Sequence, residues 1–392
     1  MKKVFHFHNG AGGGVLSVVR NLLAYSQDPE IENHVIYTIN LEQRSDFKLP
    51  KLEGAVTEQI FYFKANWNFY YTCRQLAKLL PDEKAVIVAH DWLELGMVSN
   101  LGLQNPVVHF VHGAYTYYYE LAVKHSMWVD QYITVAKQIS KELHSRIPHR
   151  VNDIQYFPFP VPTNDSKYEK KIGTIVFAGR CEEEKGYQIL PSIENILRSR
   201  GVIVEWHIAG VGSKDEILQK IWPVGTNIHF HGELTQKDLK NLLSRSQIFI
   251  LPSKAEGMPI SVIEAMKAGL VPLVNDIQGG VQEIIINNNT GFRVLNNDPE
   301  SYAFHVENLF TNVSELKRLS NQSLNYSNKH FDPYINCQKI ELQLKNLRKS
   351  EKHRFARKIY GSRLDSRWIP NVITETIREC LSIRKNFRKM SK

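Results

Sequence analysis

Ile248-Phe-Ile-Leu251-Pro252-Ser-Lys-Ala-Glu256-Gly257-Met258-Pro259-Ile260-Ser-Val-Ile-Glu264-Ala-Met-Lys-Ala-Gly269 changes its hydrophobic period once, and that change decides the fold. Ile248 to Leu251 is a continuous apolar run, as expected of a strand buried on both faces. Pro252 and Ser253 end it, because proline cannot donate to a ladder. Pro259 suits the first position of a helix, where its missing N–H costs nothing. Val262, Ile263, Ala265 and Met266 then supply an apolar helical face, and Gly269 is placed to cap the end. The segment is therefore a strand, a glycine-containing loop and a helix start, with several unbonded amides at the helix N-terminus. In open α/β sheets such loops lie at the carboxyl ends of strands, where ligands bind. Glu256 and Glu264 could accept hydrogen bonds from sugar or ribose hydroxyls; equally, both could merely solvate or cap the helix start.

The same alternation runs outward along the chain. Val4 to Phe7, His34 to Ile39, Ala85 to Ala89, Val107 to Val111 and Tyr132 to Val135 read as strands of a first unit. Thr174 to Ala178, Val202 to Ile208, Ile228 to Phe230, Ile248 to Leu251 and Val271 to Val274 read as strands of a second. Amphipathic stretches such as Val15 to Tyr25 separate them, which predicts an α/β protein with parallel, doubly wound sheets. Between the series lies Phe157-Pro-Phe-Pro-Val-Pro162, whose three prolines forbid helix and resist central-strand pairing. This is the expected hinge between a first domain over 1–160 and a second over 161–333. A terminal helix is expected over 334–347, crossing back to the first domain, and then a basic tail over 348–392.

Bulk properties exclude several classes. At 392 residues the chain is long for one core, and 43% hydrophobic with 23% charged residues is ordinary for a globular protein. No apolar run approaches the ~18 residues that span a bilayer. His6, His8 and Asn9 interrupt the N-terminal apolar stretch, so no signal peptide is expected and a cytoplasmic location is. Four cysteines without a CxxC pair argue against a disulfide framework or a zinc site. Of the net charge of +9, residues 348–392 supply +10, so the rest is near −1 and nucleic-acid binding is not expected.

The segment Glu256 to Gly269 closely resembles the Glu-x7-Glu motif of family 4 glycosyltransferases of the GT-B fold. The likeness runs roughly from Lys3 to Leu347, with motifs in the family's order. It implies two Rossmann-like domains facing a cleft and a donor site at Glu256, Gly257, Met258, Pro259, Ile260 and Glu264. Gly179-Arg180-Cys-Glu-Glu-Glu-Lys185-Gly186 resembles the family's element for the donor pyrophosphate. Arg offers a planar fork and Lys a point charge, so Arg180 and Lys185 could converge on one diphosphate. Alternatively, Glu182, Glu183 and Glu184 simply neutralise both cations in a surface loop. Gly10 and the run Gly12-Gly13-Gly14 resemble the N-terminal glycine loop that faces the donor phosphates, though tight-turn geometry would need glycine as well. His112, before Gly113, matches the family's active-site histidine; a hydrogen-bonded structural histidine is the other reading. The resemblance places Asp91, at a strand end, on the acceptor side, and Gly210-Val-Gly212 resembles the family's Gly-x-Gly turn on the nucleotide side, though a plain turn would read the same. Where the family commonly shows Pro-Asn-Gly before the linker, this chain has Phe157-Pro-Phe-Pro-Val161, a departure at the hinge rather than in the donor motifs.

The resemblance implies a retaining glycosyltransferase that moves a hexose-type sugar from a UDP- or GDP-linked donor to a saccharide or lipid-linked saccharide. No metal or other cofactor is expected. An epimerase of the same fold and a non-catalytic sugar-nucleotide-binding subunit are the competing readings. In the tail, Ile369, Ile373, Ile377 and Cys380/Leu381 recur at helical spacing among Arg378, Arg384, Lys385, Arg388 and Lys389. That pattern fits a basic amphipathic helix lying peripherally on an anionic membrane surface, a packed terminal helix with a solvated cationic face, or a disordered tail.

Overall fold

The computed structural model describes all residues except 11, 43–48, 50, 167, 213–218, 350–353 and 391–392, with the side chains of 296 and 383–390 also outside the description. A seven-stranded sheet contains β1 (Lys2–His8), β2 (Ile31–Asn40), β3 (Thr57–Phe63), β4 (Val86–Ala89), β5 (Val107–Val111), β6 (Gln131–Thr134) and β7 (Ile154–Tyr156). A six-stranded sheet contains β8 (Thr174–Ala178), β9 (Glu205–Ala209), β10 (Asn227–Gly232), β11 (Ile248–Leu251), β12 (Val271–Asn275) and β13 (Phe292–Val294). Their orders are β3-β2-β1-β4-β5-β6-β7 and β10-β9-β8-β11-β12-β13, with parallel pairing throughout. Parallel neighbours require crossover connections, and the helices that make them cover the sheets. Every residue of β4, β5, β8 and β11 is consequently buried.

Each sheet reverses its winding at one place, between β1 and β4 in the first and between β8 and β11 in the second. At such a switch point the neighbouring loops diverge and leave a crevice at the carboxyl ends of the strands. Two local expectations are corrected. β9 begins at Glu205, not Val202, because Val202 N–H turns back to the Leu197 carbonyl at 2.9 Å and closes the preceding helix. β3, β7 and β13 were not foreseen: β3 opens with the polar Thr57-Glu-Gln, and the other two have three residues each.

The described residues of 157–173 carry no helix or strand, yet Phe159 and Val161 are buried. The helix Pro333–Asn346 returns to the first sheet's side of the molecule, where Lys345 Nζ meets Asp28 Oδ2 at 3.0 Å and Gln27 N–H donates to Glu341 Oε1 at 3.1 Å. The chain beyond it also packs there. Arg354, 5% exposed, pairs with Asp130 and donates to the Asn105 carbonyl, and Arg357 N–H donates to the Ser99 carbonyl at 2.7 Å. A helix at Asn371–Met390 docks through polar residues: Asn371 Oδ1 accepts from Asn68 N–H at 2.7 Å, Glu375 holds Lys64 at 2.9 Å, and Arg378, paired within the tail with Asp365 at 2.6 Å, donates to the Asn66 carbonyl at 3.2 Å. Its Ile373, Ile377 and Leu381 face solvent, and so do the neighbouring Trp368 and Val372. The helix foreseen in the tail is present, but it docks by a polar stripe. The side chains of Arg384, Lys385, Arg388 and Lys389 lie outside the described residues. Among the described residues no helix is long and apolar enough to cross a membrane.

The helix Ile260–Lys267 ends on a buried lysine. Lys267 is 2% exposed, its Nζ has no hydrogen-bond partner among the described residues, and burial pulls its pKa down to about 8. Folding thus favours the neutral amine, and below pH 8 the native state carries the cost of a buried charge. Replacing Lys267 by methionine should raise stability by on the order of 2 kcal/mol at neutral pH, a fraction of the full shift. Sign fixes the pH dependence: the gain is complete below about 8 and fades toward the unfolded-state value of 10.5. Thermal melts of wild type and Lys267→Met at pH 7 and pH 10 check this. An equal gain at both values would contradict it.

Candidate active site

On the second domain, glycines stack three loops against one another. Gly186 follows the tight turn Glu183–Lys185 with φ 70°, and a Cβ there would lie 1.9 Å from the Pro252 carbonyl oxygen. At Gly210 (φ 136°) a Cβ would lie 1.9 Å from the Gly179 carbonyl, so the loops after β8 and β9 touch by their backbones. Gly210 N–H itself donates to the Gly232 carbonyl at 2.7 Å. This apposition turns Lys185 inward, with Nζ 2.6 Å from Glu256 Oε1, and Ser253 Oγ donates to the same oxygen at 2.6 Å. The pair is largely withdrawn from water, with side chains 20% and 8% exposed. Arg180 stands at the rim instead, exposed and 3.7 Å from Glu184. The two expected diphosphate ligands therefore share a loop but do not converge: one is paired inside and the other reaches into solvent.

The loop after β11 leads into the helix Ile260–Lys267. Pro259 is its N-cap rather than its first residue: Val262 N–H and Ile263 N–H donate to its carbonyl at 3.1 and 3.3 Å. Gly269, with φ 70°, ends the helix as expected, and Leu270 N–H returns to the Ala265 carbonyl at 3.0 Å. Met258 and Ile260 have buried side chains, so any contact they make with a ligand would come from the backbone. Glu264 is half-buried, and burial lifts its pKa to about 7, partly opposed by Arg20. Arg20 is the lone charged residue of the apolar helix Gly14–Ala24, in the opposite domain. The sequence reading overlooked it, although an isolated cation on such a helix was a visible signal.

On the first domain, β1 runs into the glycine loop and the helix Gly14–Ala24. A Cβ at Gly13 or Gly14 would meet nothing within 4 Å, so both border open space, and Gly13 additionally needs its φ of 117°. After β4, Asp91 caps the helix Trp92–Leu101 by accepting from Trp92 N–H at 2.8 Å, while Glu94 Oε1 accepts from His90 N–H and Asp91 N–H at 2.6 Å each. Asp91 also accepts from the Tyr117 hydroxyl and from Asn9 Nδ2, tying three loops together. After β5, His112 Nε2 lies 2.7 Å from His90 Nδ1. Burial holds the His112 pKa near 3, so at neutral pH the ring is uncharged and can donate or accept one hydrogen bond per nitrogen.

The two crevices face and touch. A Cβ at Gly257 would lie 2.0 Å from the His112 carbonyl oxygen and 2.7 Å from Gly113 Cα. The Tyr115 hydroxyl donates to the Ala255 carbonyl at 2.9 Å, and Gly279 N–H donates to Gln138 Oε1 at 3.2 Å. Glu256, Lys185 and Ser253 thus collect around one spot that the His112 backbone borders, whereas Glu264 sits beyond it against the helix Gly14–Ala24. Chemically, the spot offers cation, carboxylate and neutral imidazole beside a helix N-terminus, the equipment for holding a polyanion next to a polyhydroxyl group.

Residues 163–325 match the model of the family described as Glycosyl transferases group 1. That segment belongs to this family. The group 1 region contains Arg180, Lys185, Gly210, Glu256 and Glu264, whereas Gly13, Gly14, Asp91 and His112 lie before it. An uncharacterized glycosyltransferase of Methanocaldococcus jannaschii is 26% identical over 276 residues, 61% of this chain and 69% of that protein. The UDP-Gal:alpha-D-GlcNAc-diphosphoundecaprenol alpha-1,3-galactosyltransferase of Escherichia coli is 35% identical over 94 residues, only 24% of this chain and 23% of its own length. Among solved structures, that of Anabaena HepE in complex with UDP-glucose superposes with a TM-score of 0.75 at 14% identity, covering 88% of this chain and all of that one. The architecture shared by the group 1 region and the preceding sheet is GT-B, as the motifs implied.

Proposed function

We propose that the protein is a retaining glycosyltransferase that moves a hexose-type sugar from a UDP-linked donor to a hydroxyl of a saccharide or lipid-linked saccharide. The observation that carries this reading is the Lys185–Glu256 pair, buried at the second sheet's switch point and facing His112 across the cleft. Lys185 uses one of its three donors on Glu256, leaving two for the diphosphate. Arg180 reaches the diphosphate from the rim, and the amides opening the helix Ile260–Lys267 add to the cationic field. On this reading no metal is needed to neutralise the leaving group. Glu256 receives hydrogen bonds from the donor sugar and Glu264 from the ribose. His112, uncharged, hydrogen-bonds a sugar hydroxyl rather than acting as an acid. The leaving phosphate takes the acceptor proton, and the Gly257–His112 contact keeps water out during transfer.

Incubation with a panel of UDP- and GDP-sugars tests the reading. Slow donor hydrolysis supports a transferase, sugar inversion an epimerase, and tight binding without turnover a binding subunit. Glu264 gives a further prediction. As a carboxylate it is the better acceptor for ribose hydroxyls, so UDP-glucose affinity should rise severalfold between pH 6 and 8, with a midpoint near 7. The diester diphosphate has no proton that titrates in this window. In Glu264→Gln the same calorimetric titration should be flat. Linkage gives the protein alone the opposite trend: folding favours protonated Glu264, so stability declines as pH climbs from 4.5 through 7.

The tail supports peripheral attachment to an anionic membrane as part of this proposal. A helix that docks by its polar stripe presents Val372, Ile373, Ile377 and Leu381 outward, next to a strongly basic sequence. Apolar insertion plus lipid-headgroup attraction is the usual basis of such binding. Full-length protein should co-sediment with anionic vesicles, and Ile373→Glu/Leu381→Glu should lower the bound fraction by roughly tenfold, the scale of two lost apolar anchors. Unchanged partitioning of the variant would remove the membrane from the proposal.

A further inference from the structure

Residues beyond the helix Pro333–Asn346 also complete a cavity. Tyr360 from the tail and Trp67, Phe69 and Trp92 from the first domain wall a space of about 170 Å³, with Lys64 and Arg378 among its lining. This is room for several waters, the order of one monosaccharide ring. Phe69 stacks on Trp92 with centroids 5.6 Å apart, and Tyr360 stands edge-on to both, at 6.0 and 5.6 Å. An aromatic lining of this kind suits the apolar C–H side of a pyranose, and rim polar groups suit its hydroxyls. The charges are balanced: Lys64 is paired with Glu375 at 2.9 Å and Arg378 with Asp365 at 2.6 Å. A neutral ligand therefore fits better than an anion.

Position decides what that ligand is for. Trp92 opens the helix capped by Asp91, and Asp91 is held by Tyr117 and Asn9 at the first sheet's switch point. Asp91 and Glu94 lie close enough to Tyr360 to push its phenol pKa upward, in addition to the effect of burial. The cavity thus adjoins the first-domain crevice, across the cleft from Lys185 and Glu256. We propose that it is an acceptor subsite, holding one uncharged monosaccharide unit in the space that Tyr360, Trp67, Phe69 and Trp92 line. Calling it an acceptor subsite rests on the transferase reading; saccharide binding there does not.

The test titrates full-length protein with the methyl glycosides of glucose, galactose, mannose and N-acetylglucosamine, following tryptophan fluorescence and saturation-transfer NMR. At least one glycoside should bind with a dissociation constant on the order of 1 mM. Trp67→Ala should weaken it roughly five- to tenfold, the scale of one lost aromatic contact. Ala65→Trp, which fills the cavity from its lining without removing a ring, should abolish binding. UDP affinity and the melting temperature report whether each variant is folded. No binding by any glycoside, or wild-type binding in Ala65→Trp, overturns the subsite. Farnesyl phosphate binding in place of the glycosides, and lost in Ala65→Trp, also overturns it by assigning the cavity to a lipid. Failure of the transferase reading looks different: UDP-glucose would not bind, whatever the glycosides do.

Discussion

Lys185→Ala and Glu256→Ala should each lower turnover by at least ~10²-fold, the usual consequence of removing a preorganised charge from a leaving-group site. The structure makes the two losses interdependent. Lys185 Nζ and Glu256 Oε1 are 2.6 Å apart and mostly shielded, so removing either leaves its partner as a poorly solvated lone charge. For buried pairs that alone costs ~3–5 kcal/mol, and the discount for the part of Lys185 that stays in contact with water is modest. A stability drop should therefore accompany the activity loss in both single variants. Lys185→Met/Glu256→Gln should recover much of the stability and none of the turnover. That split separates structural from chemical roles. Steady-state kinetics with a radiolabelled UDP-sugar, run beside urea melts, provides the measurement. Near-normal activity in both single variants would refute the assigned site.

Gly257→Ala should be as damaging, for a reason unrelated to charge. The added methyl would lie 2.0 Å from the His112 carbonyl oxygen, at a point where the two domains meet backbone to backbone. No rotamer relieves the overlap, so either the loop after β11 deforms or the domains part by more than an ångström. A misplacement of that size commonly costs ~10² in rate. UDP affinity should fall much less than kcat/KM, because Lys185, Glu256 and the helix amides all belong to one side of the cleft. Small-angle scattering should show a larger radius of gyration for the variant. Wild-type kcat/KM in Gly257→Ala would mean that this contact has no part in transfer.

The sequence exposed most of the fold because the central strands are continuous apolar runs: Val107–Val111, Thr174–Ala178 and Ile248–Leu251 begin and end where the reading put them. Edge strands escaped because they need only half the burial, and β3 hides two inward phenylalanines behind a polar start. In the candidate site, Glu256, Lys185 and His112 were singled out by the family resemblance, since their own spacing left helix-capping, surface-loop and structural readings open. Their partners were not. Lys185 finds a carboxylate 71 residues away, His112 finds His90, and Glu264 feels Arg20 across the cleft. Such pairings depend on how loops and domains come together, which no local pattern records. The tail is the clearest case: spacing foretold its helix, but Asn371, Glu375 and Arg378 rather than the isoleucines face the protein, contrary to the ordinary rule of burial.

Both passages of the chain between the domains run side by side. Val161 N–H donates to the Phe331 carbonyl at 3.3 Å, Asn336 Nδ2 to the Phe159 carbonyl at 3.3 Å, and Asn21 Nδ2 to the Pro160 carbonyl at 2.9 Å. Two crossings fastened to each other and to the first domain define a single axis, like a pin through a door. Such fastening should favour a swing over translation or twist in any relative motion of the halves. Folding itself thereby holds Gly257 beside the His112 carbonyl, so little ordering of the two sides is left to be made when a donor binds.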